Sequence, residues 1–304
     1  MKVFITGGTG YLGSVLVEHL IRAGHDVMAL ARSDASAQRL LDAGATPISG
    51  TLSDTATLSR EAAAADAVIH AAVDYSMTEQ TNRIELDAVA ALTDGAGAAD
   101  TGKPVIFTST GLVYGFAPDR DQAEDAELPE RSAQPVKVAA ERIVLGAAGI
   151  TGTVIRAGLI FGRGGSGLVT GLIQSATATG VSTYIDEGTN SWMPVDVDDL
   201  ADLYIKAVER PVAGIFNAAG TVPFTFRELA EAIADLTGAS ATSIPFAIAV
   251  ERFGPFAHVL TSTGGLIAVK ACTTFGWQPS TRSLVDDVRS GSYSNRAEAA
   301  SSDR

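Results

Sequence analysis

The stretch Ile5-Thr6-Gly7-Gly8-Thr9-Gly10-Tyr11-Leu12-Gly13 decides the fold of this 304-residue chain. It follows a short apolar run, Lys2–Thr6, and leads into Leu12–Ala23, where Leu12, Val15, Leu16, Leu20 and Ile21 share one helical stripe that stops at Gly24. Gly7, Gly10 and Gly13 keep a G-x-x-G-x-x-G spacing. The first glycine permits a tight turn, the second lets backbone approach a pyrophosphate, and the third lets the helix pack closely on the strand. The helix N-terminus then offers free N–H groups and a positive dipole end to phosphate. A glycine pattern alone is weak evidence. Its place between a strand and a helix turns it into a dinucleotide-binding turn, in which Thr9, Tyr11 and Leu12 join the three glycines.

Further apolar runs at Asp26–Ala31, Thr46–Ser49, Ala67–Ala71, Val105–Ser109 and Thr153–Arg156 are predicted strands separated by helix-length segments. Strands that are apolar throughout belong in a parallel sheet covered on both faces. The fold class is therefore α/β, a Rossmann doubly wound parallel sheet with a smaller C-terminal substrate-binding lobe. After Arg156 the texture changes, with Gly158, Gly162, Gly164, Gly165, Gly167 and Gly171 close together, then Pro211, Pro223, Pro245, Pro255 and Pro279. Residues 1–157 and 195–219 are assigned to the Rossmann domain, and 158–194 and 220–290 to the lobe. Residues 291–304 lack large apolar side chains apart from Tyr293 and are expected to form a disordered tail.

With 46% apolar and 19% charged residues the chain is a folded globule. Its 22 basic against 35 acidic residues leave a net charge of −13, which disfavours nucleic acid or an anionic membrane as a partner. Cys272 stands alone, and the four histidines form no Cys/His cluster of metal-ligand spacing, so no disulfide and no metal site are expected. No run approaches the roughly 18 apolar residues of a spanning helix, which points to a soluble, cytoplasmic protein.

About twenty residues past the turn an acidic side chain would take a free ribose 2′-hydroxyl, whereas a 2′-phosphate needs a cation. Here the second strand ends Ala29-Leu30-Ala31-Arg32-Ser33-Asp34. Arg32 offers a forked, charge-assisted contact and Ser33 a hydroxyl, which favours NADP over NAD. Asp34 keeps a ribose contact open, and an Arg32 that merely lies along the strand end is the plain alternative.

With these residues in hand, the chain resembles the extended, atypical branch of the short-chain dehydrogenase/reductase superfamily, the NAD(P)-dependent epimerase/dehydratase-like proteins, over residues 1 to about 290. Besides the turn, Gly50-Thr51-Leu52-Ser53-Asp54 is similar to the family's G-D-L-x-D, with Thr51 replacing the first acid. Val68-Ile69-His70-Ala71-Ala72 resembles V-x-H-x-A, and Ser109-Thr110-Gly111-Leu112-Val113-Tyr114-Gly115 resembles S-S/T-x-x-V-Y-G. Arg156-Ala157-Gly158-Leu159-Ile160-Phe161-Gly162 resembles R-P-x-x-v-Y-G, with Ala157 in place of proline; Met193–Ala201 resembles the return strand, with Asp196 in place of histidine. The resemblance implies that Leu52 lies near the adenine, that Ala71, Ala72 and Val73 border the ribose, and that Gly158 and Leu159 belong to the segment over the nicotinamide.

One departure concerns chemistry. Reductases of the superfamily carry Tyr-x-x-x-Lys on one helix face. The tyrosine exchanges a proton with the substrate carbonyl, and the lysine holds the nicotinamide ribose. Here Lys137 and Glu141 keep the family's K-x-x-x-E spacing, but the position four before Lys137 is Ala133, and no tyrosine occurs from Glu124 to Ile150. Losing a general acid forfeits about 10²–10⁴-fold in rate. The resemblance leaves Thr110 as a substrate-polarising hydroxyl and Lys137 as a ribose contact and acid/base candidate. Tyr75, just past the fourth strand, is a displaced acid or a rim aromatic. Tyr114, Trp192 and Asp196 are candidate substrate contacts, with packing the alternative for Tyr114 and loop capping for Asp196. His70 reads as a buried strand-end histidine.

The resemblance implies an NADP(H)-dependent oxidoreductase of atypical mechanism acting on a small or medium apolar carbonyl, imine or enone compound. The missing tyrosine keeps two alternatives open: a redox-silent NADP-binding sensor, and a non-redox isomerase, lyase or hydrolase. Phe224, Phe226, Phe246, Phe253, Phe256, Leu260 and Trp277 line an apolar pocket or form the core of the lobe. Predicted helices Glu79–Gly95 and Glu130–Leu145 resemble those through which the family dimerises, so a homodimer is expected on that analogy.

Overall fold

The computed structural model describes residues 1–74, 76, 78–115, 122–130 and 132–294. Its strands are β1 (Lys2–Thr6), β2 (Asp26–Ala31), β3 (Thr46–Ser49), β4 (Ala67–His70), β5 (Lys103–Thr110), β6 (Ile150–Ala157), β7 (Leu159–Phe161), β8 (Val181–Ile185), β9 (Ser191–Trp192), β10 (Pro194–Asp196), β11 (Gly214–Ala218), β12 (Phe224–Thr225) and β13 (Ser240–Ile244). Seven of them form one sheet in the order β11-β6-β5-β4-β1-β2-β3, every pairing parallel. The strand order reverses between β1 and β4, which opens a crevice at their carboxyl ends.

Helices α1 (Tyr11–Arg22), α2 (Asp34–Asp42), α3 (Thr55–Ala64), α4 (Glu79–Gly97), α5 (Pro135–Gly146) and α7 (Val197–Glu209) cover both faces, and α6 (Gly167–Thr179) packs in the lobe. They are followed by α8 (Phe226–Thr237), α9 (Phe246–Phe253), α10 (Phe256–Leu260), α11 (Val269–Phe275) and α12 (Leu284–Ser290). Alternation along β1 sorts the core. Val3 and Ile5 pack with Leu16 of α1 and Leu203 of α7, while Phe4 packs with Leu58 of α3 and Leu92 of α4. None of the helices described is long and apolar enough to cross a membrane.

The first three strands have the predicted bounds. The fifth begins two residues earlier, at Lys103, because that lysine is buried by a local solution: its ammonium donates to the carbonyls of Ala62 and Ala63 at 2.8 Å each, at the end of α3. The predicted helix from Glu130 starts only at Pro135, where the fixed φ of proline suits the first turn.

The lobe is built on short pairs, β7 with β10, β9 with β12 and β8 with β13. Its core joins Phe161, Ile173, Trp192, Phe224 and Phe226. Helix α8 starts in a reciprocal box, Thr225 Oγ1 accepting from Glu228 N–H and the Glu228 carboxylate from Thr225 N–H, and stops at Gly238 with φ +70°.

Two expectations about organisation are corrected. Residues 269–277 lie in the Rossmann core: Phe275 packs edge-on against Phe216 of β11 at 4.7 Å, and the Trp277 indole donates to Asp199 O at 2.7 Å. An apolar helix is needed there because β11 ends the sheet and would otherwise expose its face. Asp196 ends β10, which pairs with β7 and not with the large sheet, while Val195 of the same strand packs in the Rossmann core as assigned. Residues 291–294 are packed, with Tyr293 fully buried among lobe residues; the single large ring in the predicted tail supplies the burial that orders it. Of the other lobe aromatics, Phe253 and Phe256 are exposed.

Candidate active site

The glycine-rich turn sits at the carboxyl end of β1. Gly10 N–H donates to Gly7 O at 2.9 Å, and Gly10 is the N-cap of α1 with no side-chain cap bond, which leaves the first-turn amides free. A Cβ on Gly7, whose φ is +79°, would lie 2.6 Å from Ala72 N, and one on Gly13 would lie 1.9 Å from Gly7 O. A Cβ on Gly10 would meet Gly7 O at 3.2 Å. The turn, the close helix and the free amides fit a dinucleotide pyrophosphate.

Around it, Arg32 is exposed just past β2, and its charge, after the hydrogen bonds from Ser76, helps hold the Asp74 carboxyl below the usual range. Ser33 is committed to capping α2: its hydroxyl accepts from Ser36 N–H at 3.2 Å and donates to Ser36 Oγ at 3.1 Å. Leu52 is half-buried against the core of Phe4, Leu58 and Leu92. Ala71 N–H donates to Thr6 O at 3.1 Å, so the segment Ala71-Ala72-Val73 runs directly beside Gly7, with Val73 exposed. Gly158 N–H donates to Ala218 O at 2.9 Å, and Leu159 is half-buried against the lobe core. Tyr75 lies outside the described residues.

Tyr11 joins the turn to the lobe. Its hydroxyl donates to Gly162 O at 2.8 Å, and its ring occupies the space a Cβ on Gly165 would need. Beside it Arg163 pairs with Glu18 of α1 and Asp198 of α7. A cleft of about 460 Å³ opens between Gly10, Tyr11 and Ser14 on one side and Gly165, Ser166 and Thr170 on the other.

At the end of β5, Thr110 Oγ1 accepts from Leu112 N–H at 3.2 Å and caps the 3-10 turn Gly111–Tyr114. That bond uses a lone pair and leaves the hydroxyl proton available. Ala133 precedes α5 and stands in a loop pinned by Ser132, whose hydroxyl donates to Val113 O at 3.0 Å. Lys137, on the first turn of α5, is buried, and its ammonium donates to Glu85 Oε1 of α4 at 2.6 Å and lies 4.9 Å above the Phe107 ring. Behind Glu85 comes His70, with Nε2 at 3.5 Å from the same carboxylate and Nδ1 at 2.6 Å from Thr6 Oγ1. Burial by itself would raise the Glu85 carboxyl; the hydrogen bond and charge of His70, with the charge and hydrogen bond of Lys137, outweigh it and hold the group at about 2.

Three candidate substrate contacts are engaged within the fold. Tyr114 is buried, donates to Asn217 Oδ1 at 2.9 Å and lies under the Arg156 guanidinium, itself paired with Glu141. Trp192 donates to Ser262 O at 2.9 Å and stands edge-on to Phe226 in the lobe core. Asp196 is buried as the N-cap of α7, accepting from Asp198 N–H at 2.8 Å and pairing with Arg282 at 2.7 Å. Each polar tip is consumed by the fold.

Sequence reasoning passed over Glu85. The signal was present: it shares the buried face of α4 with Ala88, Val89 and Leu92, and a carboxylate on such a stripe demands a cation. Among the described residues no cluster of His, Cys, Asp or Glu could hold a metal ion.

An uncharacterized Schizosaccharomyces pombe protein is 30% identical over 96% of this chain and 100% of its own length. The 2-alkyl-3-oxoalkanoate reductase of Stenotrophomonas maltophilia is 29% identical over 79% of this chain and 76% of its own. Among solved structures, the UDP-glucose 4-epimerase of Thermotoga maritima superposes with a TM-score of 0.80 at 20% identity, covering 98% of this chain and all of that one, a likeness of fold. Residues 3–219 match the NAD dependent epimerase/dehydratase family, and with the parallel sheet and the glycine-rich turn in place the chain belongs to that family.

Proposed function

We propose that the protein is an NADP(H)-dependent oxidoreductase of atypical mechanism that reduces a small or medium, apolar carbonyl, imine or enone compound. The observation that carries this reading is the uncapped N-terminus of α1 behind a turn that Gly7 and Gly13 alone can make. The amides after Gly10 would hold the pyrophosphate, Arg32 the 2′-phosphate, and Ala71, Ala72 and Lys137 the ribose side. A nicotinamide dinucleotide bound there supplies hydride transfer. Thr110 supplies the hydrogen bond that polarises the substrate oxygen, and its hydroxyl passes on a proton from solvent in place of the phenol that Ala133 lacks. Arg163, Arg227, Arg282 and Arg289 of the lobe each pair with a carboxylate of the fold, which supports an apolar substrate. The reductase relative of Stenotrophomonas maltophilia is named for an oxoalkanoate, whose ketone is a carbonyl of the proposed class. A cytoplasmic homodimer formed through α4 and α5 belongs to the same reading.

Paired fluorescence titrations with NADPH and NADH, repeated on Arg32→Ala, test it. A charged hydrogen bond contributes roughly 1.5–3 kcal/mol, so NADPH affinity should fall about 10–100-fold while NADH is unaffected. Failure of the wild type to bind either nucleotide overturns the reading. A redox-silent NADP sensor is the second reading, favoured by the burial of Lys137 against Glu85 and the absent phenol. Such a protein would bind NADPH yet transfer no hydride to a panel of carbonyl, imine and enone probes.

A further inference from the structure

We propose that Glu85 is the positioning residue for Lys137, holding its ammonium charged and fixed beneath the carboxyl end of β5 in place of the missing phenol. The inference rests on the cofactor reading above.

The geometry makes the pair more than a surface contact. Lys137 and Glu85 belong to α5 and α4, 52 residues apart in sequence, and both are almost wholly buried at an N–O distance of 2.6 Å. The floor beneath them is the Phe107 ring, which stacks on His70 at 5.8 Å with 7° between the planes and carries the Lys137 ammonium on the same ring. His70 Nε2 faces the Glu85 carboxylate at 3.5 Å and Nδ1 lies 2.6 Å from the Thr6 hydroxyl, so the imidazole bridges the carboxylate to β1. The chain Thr6, His70, Glu85, Lys137 therefore runs from the residue before Gly7 to the one lysine on α5. It ties the orientation of that lysine to the glycine-rich turn.

The chemistry of the departure explains the carboxylate. A lysine beside a tyrosine shares its charge with a phenol that ionises during the reaction. Beside Ala133 no such partner exists, and a buried ammonium without a counter-ion would be driven to lose its proton. Glu85 prevents that. Lys137 then serves as a fixed cation for the ribose and the developing oxyanion, and the proton traffic falls to Thr110.

The test uses the whole chain, Glu85→Gln, Lys137→Met and the double variant. Trace labelling with acetic anhydride, read by mass spectrometry, reports the reactivity of Lys137 against the other four lysines, Lys2, Lys103, Lys206 and Lys270, as internal references. In Glu85→Gln the labelling of Lys137 should rise at least about tenfold, and NADPH affinity should fall about tenfold, as in Lys137→Met; the double variant should be no worse than either. Should Glu85→Gln fold poorly because it strands a buried charge, the double variant removes both charges, and its NADPH affinity should equal that of Lys137→Met. Unchanged labelling in Glu85→Gln, with normal nucleotide binding by the wild type, overturns the proposal and spares the cofactor reading. Raised labelling with unchanged NADPH affinity overturns it too, since the pair is then merely structural. A wild type that binds neither NADPH nor NADH while labelling still responds overturns the cofactor reading and leaves Glu85 as the residue that holds Lys137.

Discussion

Tyr11 and Tyr293 grip the same glycine from opposite ends of the chain: the Tyr11 hydroxyl donates to Gly162 O at 2.8 Å, and Gly162 N–H donates to the Tyr293 hydroxyl at 3.2 Å. Burial, with the neighbouring Tyr293, Asp196, Asp287 and Asp198, pushes the Tyr11 hydroxyl far above the usual range, so it remains a donor at any working pH. Tyr293→Phe leaves the Gly162 amide buried without its acceptor, at a cost of about 1–3 kcal/mol. A lowered urea midpoint with an unchanged slope is expected. A midpoint equal to the wild type would show that the C-terminal segment does not hold this loop.

The second buried ion pair should behave as part of the fold. Glu141 accepts from Arg156 Nε at 2.9 Å and NH2 at 2.6 Å, and from Ser109 Oγ at 2.5 Å. Glu141→Ala strands the guanidinium above Tyr114, and breaking such a pair costs about 3–5 kcal/mol. Thermal unfolding should shift down by several degrees, whereas whatever folded protein remains should bind NADPH as before.

What could be read in advance followed from local rules. Lys2–Thr6, Asp26–Ala31 and Thr46–Ser49 are apolar runs bounded by turns, and the turn before α1 needs glycine for reasons of backbone space that act within a few residues. Apart from the start of α5, which Pro135 marks locally, the misassignments were long-range. Nothing near Trp277 announces that it returns to cover β11, 60 residues earlier in the chain. Asp196 and Trp192 carry chemistry-bearing groups, and only the folded chain reveals that Asp198 N–H and Ser262 O consume them. Lys137 was legible as a family position, but its partner Glu85 sits on another helix.

The glycines of the turn separate folding from binding. A Cβ on Gly13 would fall 1.9 Å from Gly7 O, closer than atoms can approach, so Gly13→Ala must push α1 off the sheet and should unfold at markedly lower urea. At Gly10 the nearest chain atom is 3.2 Å away, which a small shift can relieve. Gly10→Ala should therefore keep stability within about 1 kcal/mol while weakening NADPH binding at least tenfold, because the added methyl occupies the approach to the free amides. Equal losses of stability in both variants would show that the turn serves packing alone.

The Glu85 carboxyl makes stability depend on acid. Its value in the folded protein, about 2, lies below the unfolded 4.5, so the group stabilises the fold above pH 4.5, and that contribution is lost as pH falls toward 2. The difference corresponds to a contribution on the order of 3 kcal/mol at neutral pH. Asp196 acts in the opposite sense, since burial raises its carboxyl above the unfolded value and its contribution fades as pH rises through the folded one. Urea midpoints of the wild type and Glu85→Gln, measured from pH 7 to pH 2, isolate the first effect. The gap between the two proteins should be widest above pH 4.5 and close toward pH 2; a gap independent of pH would mean that the carboxylate charge is not what holds α4 against α5.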